Sequence, residues 1–482
     1  MNKRVVLKTI GELLILEGIL MILPLIIGII YKDSTYIYLS FLKVGAFITL
    51  LGLLLTRINT KGQIIGVKEG LGIVSISWIV LSFFGSLPFV ISKSIPSLVD
   101  AFFETTSGFT TTGASILTDV EKLPISMTFW RSFTHFIGGM GILVFALAVL
   151  PKGVRGDVNV MKAEVPGPQF GKLVSKASIT AMILYKIYII MTLVLIIILL
   201  LLGMSPIDAM VHAFGAAGTG GFSNKATSVA YFNSPAIEYT LAIAMLLYGI
   251  NFNLYYYLLL KKFKEVFSNE ELKVYFFVVT GAIILIMVNI FRGYNSGEKL
   301  FRDTLFQVSS IVTTTGYATV NFNKWPLFSH VVLLALMFIG GMSGSTAGGI
   351  KVSRINSLFK IAKSEVIKIM NPDKVIFIRE NNRPLKKSVL SGIKAYIIVY
   401  IFVFAGIFFL VSFKEGDFLS NFSAVAATMN NIGPGLGIVG PDGSFAAYSN
   451  FSKLVFSMAM IIGRLEIYPV LVLFTSNLWR KR

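Results

Sequence analysis

The chain has 482 residues, of which 55% are hydrophobic and only 14% charged, with a mean hydropathy of +0.77. A soluble domain carries about 25% charged residues, so most of this surface must face something other than water. The absence of cysteine excludes disulfide frameworks and thiolate chemistry, and the three scattered histidines (His135, His212, His330) have no HExxH-type spacing for zinc. The formal charge of +19 sits mainly in loops between apolar runs, which marks topology rather than a nucleic-acid partner.

In chain order, the apolar runs give about ten full spans, near 10–30, 38–56, 70–92, 128–150, 179–203, 237–260, 272–292, 327–360, 389–412 and 451–478. The eighth is interrupted by small residues. The first lacks a small-residue cleavage site and is followed at once by a second span, so it reads as a retained helix rather than a signal peptide. Roughly two thirds of the lysines and arginines fall in loops on one side, richest over Lys351–Lys394; that side is expected to be cytoplasmic and to hold both termini.

Four shorter apolar segments lie between the spans, near 100–112, 208–220, 303–315 and 420–432. About 12 residues of helix reach only some 18 Å, too little to cross a bilayer core. Each must enter the membrane and return.

These segments repeat one another. They read DAFFETTSGFTTTGAS, DAMVHAFGAAGTGGFS, DTLFQVSSIVTTTGYA and SNFSAVAATMNNIGPG from residues 100, 208, 303 and 420. Glycine falls at one place in all four (Gly113, Gly221, Gly316, Gly433), and a good helix N-cap stands at the start of each (Asp100, Asp208, Asp303, Ser420). The capped helix would run inward and aim its partially negative end at mid-membrane, where a cation is favoured. Extended backbone with threonine and glycine would then turn carbonyls toward an axis; irregular backbone at that depth must line a pathway or be buried in protein. Four such strands would make rings of carbonyl oxygens able to replace a cation's hydration shell. The span after each segment also repeats a glycine: Gly138, Gly249, Gly340 and Gly463.

The expected fold is therefore an all-α polytopic membrane protein: an N-terminal two-helix hairpin (1–66) and four fused helix–pore-loop–helix units (67–165, 166–268, 269–385, 386–482) around one pore. Thr-Thr-Gly-Tyr-Ala (314–318) is close to the filter of potassium channels, and the four degenerate copies resemble the potassium transporter superfamily containing TrkH, KtrB and fungal Trk proteins. The N-terminal hairpin favours the TrkH type. The resemblance covers about residues 5–480.

What the resemblance implies goes further. It assigns potassium binding to a filter made by Thr111, Thr112, Gly113, Thr219, Gly220, Gly221, Thr314, Thr315, Gly316, Asn431, Ile432 and Gly433. The second copy has Gly220-Gly221 where others have Thr-Gly, and the fourth has Asn-Ile-Gly-Pro-Gly, so the ring is expected to be asymmetric. A gate is implied at the small-residue loop Gly340, Gly341, Ser343, Gly344, Ser345, Thr346, Gly348 and Gly349, with Arg464 pointing into the cavity; a cation there would repel potassium at the inner pore, and Lys351, at the end of the loop, is a second candidate for the same field. Close packing of small residues is the plain alternative for the loop; a structural ion pair with Glu466 or Glu104 is the plain alternative for Arg464. The implied partners are a second copy of the chain, a cytoplasmic ring of TrkA-type nucleotide-binding subunits and membrane lipid, in a bacterial inner membrane. No organic cofactor is implied, and nucleic acid is not expected.

Glu104, His212 and Gln307 share one offset in their short helices and are expected to brace the back of the filter. Asp100, Asp208 and Asp303 serve first as caps and second as an outer field for cations. Gly435-Leu-Gly-Ile-Val-Gly440 matches a dinucleotide fingerprint only literally, because it lacks the strand and helix of a βαβ unit.

The function expected is gated, channel-like potassium uptake driven by membrane potential, with a sodium- or proton-coupled symporter as the alternative. Same-orientation repeats and the lack of midplane carboxylates beyond Glu466 favour the channel. A membrane-embedded lipid-modifying enzyme would need clustered carboxylates or histidines at one membrane face, which this sequence lacks.

Overall fold

The computed structural model describes residues 1–60, 66–141, 177–413 and 415–479. Among these, six helices are long and apolar enough to cross a membrane: Lys3–Ile30, Thr35–Thr56, Val67–Ile91, Ile179–Leu201, Glu270–Gly293 and Lys387–Ser412. Their outward faces carry exposed Phe277, Phe402, Phe409 and Leu201, side chains that require an apolar surround. The protein is a multi-pass membrane protein. The second half of the expected span 128–150, and the expected boundary at 165–166, lie outside the described residues.

The N-terminal hairpin closes through glycines rather than through interlocking large side chains. A β-carbon added at Gly18 would stand 2.7 Å from Gly45 O, and one at Gly11 would stand 2.8 Å from Gly52 O. The helices Lys3–Leu20 and Thr35–Thr56 therefore cross backbone to backbone, the small-residue packing that apolar solvent favours. Asp33 then ties the hairpin to the first unit by accepting from Ser126 N at 2.8 Å.

Each unit follows with a long helix, a short helix, a return segment and a second span. The short helices are Leu98–Phe109, Pro206–Gly218, Gly297–Val312 and Phe418–Met429. Their caps differ from the sequence expectation. Ser97, Ser205 and Asp417 cap helices one, two and four, and Asp100, Asp208 and Ser420 sit three residues later, donating backbone N–H to them. Each cap side chain thus accepts from the backbone N–H three residues on; Ser205 Oγ also donates to Asp208 Oδ2 at 2.7 Å. The third helix starts earlier still, capped by Ser296, so Asp303 is an interior residue of that helix.

The second spans are less uniform than the hydropathy pattern implied. The expected span 237–260 is two helices, Pro235–Tyr248 and Phe252–Leu259, bent by 92°. The expected span 327–360 is interrupted, as anticipated, between Leu327–Ile339 and Val352–Met370. The last span breaks after Arg464, where Glu466 and Ile467 both take left-handed backbone (φ 54° and 70°) before Tyr468–Leu473 resumes. Hydropathy registers burial, not backbone continuity, so the bend at 248–252 and the break after Arg464 were invisible to it.

A two-stranded hairpin, Arg379–Glu380 against Arg383–Pro384, joins the third and fourth units. Its turn residues Asn381 and Asn382 are both left-handed (φ 47° and 62°), the chemistry a two-residue turn demands.

Candidate functional site

All four short helices end alike. Thr111, Thr219, Thr314 and Asn431 follow the last helical turn in left-handed backbone, with φ between 55° and 57°. The next residue donates its N–H back five positions, in bonds of 2.8–2.9 Å: Thr112 to Ser107, Gly220 to Gly215, Thr315 to Ser310 and Ile432 to Ala427. This is a helix-terminating motif of the Schellman kind. Left-handed threonine is costly, so the surrounding structure must hold it; the sequence reading expected simple extended backbone here. Positive φ recurs two residues later at Gly113, Gly221, Gly316 and Gly433.

Those four glycines interlock. A β-carbon added at Gly113 would lie 2.0 Å from Gly220 O; at Gly221, 2.0 Å from Thr315 O; at Gly316, 2.2 Å from Ile432 O; at Gly433, 2.8 Å from Thr112 O. Each glycine thus abuts the carbonyl just before the glycine of the next unit, and the fourth returns to the first. The segments form a closed ring in the order one, two, three, four. Above it lies a cavity of about 340 Å³ lined by all four glycines together with Arg131 and Lys225.

Side chains behind the ring stiffen it. Thr110 and Thr112 share a hydroxyl bond of 2.8 Å, as do Thr313 and Thr315. Asn431 Nδ2 donates both to Thr112 Oγ1 and to Met460 O at 2.9 Å, joining units four and one. The three polar residues at the shared helix offset each reach their own return segment. Glu104 accepts from Ser115 Oγ and from Ile116 N, His212 Nε2 meets Ser223 Oγ at 3.0 Å, and Gln307 donates to Thr319 Oγ1 at 3.3 Å. Unit four does the same job one position earlier, Ser423 Oγ accepting from Leu436 N. Tyr317 is wholly buried and donates to His212 O and Phe222 O of unit two.

The small-residue loop 340–351 packs directly against this ring. Gly348 N donates to Thr314 Oγ1 at 2.6 Å, and a β-carbon at Gly348 would stand 2.2 Å from Asn430 O. The loop is pinned elsewhere by Met342 N to Gly249 O, by Phe252 N to Gly344 O, and by Thr346 Oγ1 to Tyr248 O. The kink in unit two therefore exists to receive the loop of unit three. Gly340 (φ 72°) and Gly349 (φ 79°) bound it, each holding a backbone that a side chain would strain.

Lys351 is buried and its ammonium donates to Ala347 O within the loop. Arg464 spans three elements, donating to Thr346 O at 2.8 Å, Gly138 O at 2.5 Å and Gly139 O at 2.6 Å. The alternative ion pairs foreseen for it are formed by others: Glu466 binds Arg354, and Glu104 binds Arg131.

Several residues escaped the sequence reading. Glu271 accepts from Ser343 N at 2.7 Å and Ser353 N at 3.1 Å, holding both ends of the loop. Arg131 joins Glu104 to Ser223 O, and Lys453 pairs with Asp100 at 2.6 Å. Intramembrane charge was the available signal, but their partners lie between 27 and 353 residues away along the chain.

Comparison with known proteins agrees with this architecture. The TrkH family, described as cation transport proteins, matches residues 40–481. The Trk system potassium uptake protein TrkH of Salmonella typhimurium is 37% identical over the full length of both chains, and its Escherichia coli counterpart 36%. The crystal structure of the potassium transporter TrkH from Vibrio parahaemolyticus superposes with a TM-score of 0.90 at 32% identity, covering all of both chains. The chain belongs to the TrkH family.

Proposed function

We propose that this protein takes up potassium through a gated, channel-like pathway across a bacterial inner membrane. The carrying observation is the closed ring of Gly113, Gly221, Gly316 and Gly433, each seated against a carbonyl of the next unit. Close carbonyls from four strands match what dehydrates and binds a monovalent cation. The name of the Salmonella relative, a potassium uptake protein, supplies the ion.

In this reading Thr111, Thr112, Thr219, Gly220, Thr314, Thr315, Asn431 and Ile432 contribute the remaining filter carbonyls. The loop 340–349 closes the inner side. Arg464 and Lys351 place positive charge there, which repels a potassium ion by simple Coulomb interaction. The proposed partners are a second copy of the chain and a TrkA-type nucleotide-binding subunit. The exposed basic residues Lys363, Lys368, Lys374, Arg379 and Arg383 support a cytoplasmic docking side for that subunit.

The test is rubidium uptake into proteoliposomes holding the purified chain, driven by voltage with sodium and proton gradients removed. Uptake that follows voltage alone is expected. Uptake that requires a sodium or proton gradient would replace the channel with a coupled symporter.

A further inference from the structure

Unit two lacks the side chains that stiffen the others. Preceding the ring glycine by one and by three residues, units one and three carry the bonded threonine pairs Thr112–Thr110 and Thr315–Thr313. Unit four carries Ile432 and Asn430, the latter held by Tyr400 OH at 2.9 Å. Unit two has glycine at both places, Gly220 and Gly218. With Gly221, that leaves three glycines in four residues, backbone with little conformational restraint of its own.

The missing volume is occupied from the neighbouring unit. A β-carbon added at Gly220 would lie 2.4 Å from His135 Nδ1 and 2.5–2.6 Å from its ring carbons; one at Gly218 would lie 2.3 Å from His135 O. His135 stands three residues before Gly138 on the second span of unit one, where the other units carry Leu246, Met337 and Met460. It is fully buried. Its Nδ1 lies 2.8 Å from Gly108 O, so Nδ1 carries the proton and donates. Its ring packs against Phe222 with centroids 4.2 Å apart, and the Arg131 guanidinium covers that same phenylalanine at 3.5 Å.

We infer that His135 is a specificity-determining positioning residue, a rigid plane that replaces the absent threonine side chains of unit two and holds the Gly220 carbonyl at its place in the ring. His135 and Gly220 are a matched pair: the imidazole fits only because residue 220 has no side chain, and the glycine is restrained only because the imidazole is there. The inference rests on the reading of the ring as a potassium filter.

The test measures the ratio of rubidium to sodium uptake in proteoliposomes for His135→Met, Gly220→Thr and the double variant. Methionine is the residue that units three and four place at this offset, and threonine at 220 restores the side chain of units one and three. His135→Met should lower the ratio roughly tenfold, the scale of a coupling near 1.4 kcal/mol. Gly220→Thr should abolish uptake or fail to fold. The double variant should recover folding and move the ratio back toward the parent. If His135→Met does not fold, His135→Gln, which keeps a donor for Gly108 without filling the space, should show the lowered ratio. A parent chain that does not discriminate rubidium from sodium refutes the filter reading itself. A discriminating parent with an unchanged His135→Met, or a double variant no better than Gly220→Thr, overturns the pairing alone.

Discussion

Arg131 Nε lies 2.6 Å from the Glu104 carboxylate, and this buried pair fastens the first return segment to the second. The carboxylate also accepts from Ile116 N at 2.9 Å, while the guanidinium donates to Ser223 O at 3.0 Å. Removing one partner of a buried pair leaves an uncompensated charge and costs about 3–5 kcal/mol. Glu104→Gln and Arg131→Met should each lower the thermal unfolding midpoint markedly. The double variant should be less destabilised than the sum of the two. Additive losses in a melting series would show that the two charges act independently.

Gly316 combines a left-handed backbone (φ 89°) with a neighbour, Ile432 O, 2.2 Å from where a β-carbon would sit. Left-handed backbone alone costs a residue with a side chain about 1–2 kcal/mol, and the contact must be relieved by widening the ring. Gly316→Ser should therefore reduce discrimination between rubidium and sodium. Equal uptake ratios for parent and variant would contradict the filter assignment.

Arg464 bonds Thr346 O of the loop while holding Gly138 O and Gly139 O of unit one. A bond from a charged donor contributes about 1.5–3 kcal/mol, so its loss should free the loop. Arg464→Ala should raise basal rubidium flux about tenfold at equal protein level. Deleting glycines within 343–349 should likewise increase leak. A silent Arg464→Ala variant with normal folding would remove it from the barrier.

Glu271 receives two backbone N–H groups, one from Ser343 and one from Ser353 in the first turn of Val352–Met370. A carboxylate there also meets the favourable field of a helix N-terminus. Glu271→Ala strands both donors and should raise basal flux, whereas Glu271→Gln, which keeps an acceptor, should lie between it and the parent. Flux assays of the two variants decide; identical behaviour of alanine and glutamine would indicate that acceptance at this point does not hold the loop.

Much of the architecture was legible in the sequence because it is written in local terms. Apolar runs give the spans, and the recurrence of glycine at 113, 221, 316 and 433 gives the fourfold repeat, since a left-handed turn against a neighbouring backbone tolerates no side chain. The interruption at Gly340–Gly349 was visible for the same reason. The caps were misplaced by three residues or more because Ser97 and Asp100, or Asp417 and Ser420, are both good capping types, and only the helix geometry selects between them.

The tertiary structure alone decided who touches whom. Asn431 meets Thr112 across 319 residues of chain, and Arg464 meets Gly138 across 326. No periodicity encodes such a pairing, because it depends on how the units close into a ring. The same closure explains why Gly220 is a glycine: its side chain is supplied, in effect, by His135 of the preceding unit. Sequence determined the repeated unit through local backbone and solvent preference; the packing of four units determined which buried charges meet, because a buried charge is costly unless the fold brings a partner to it.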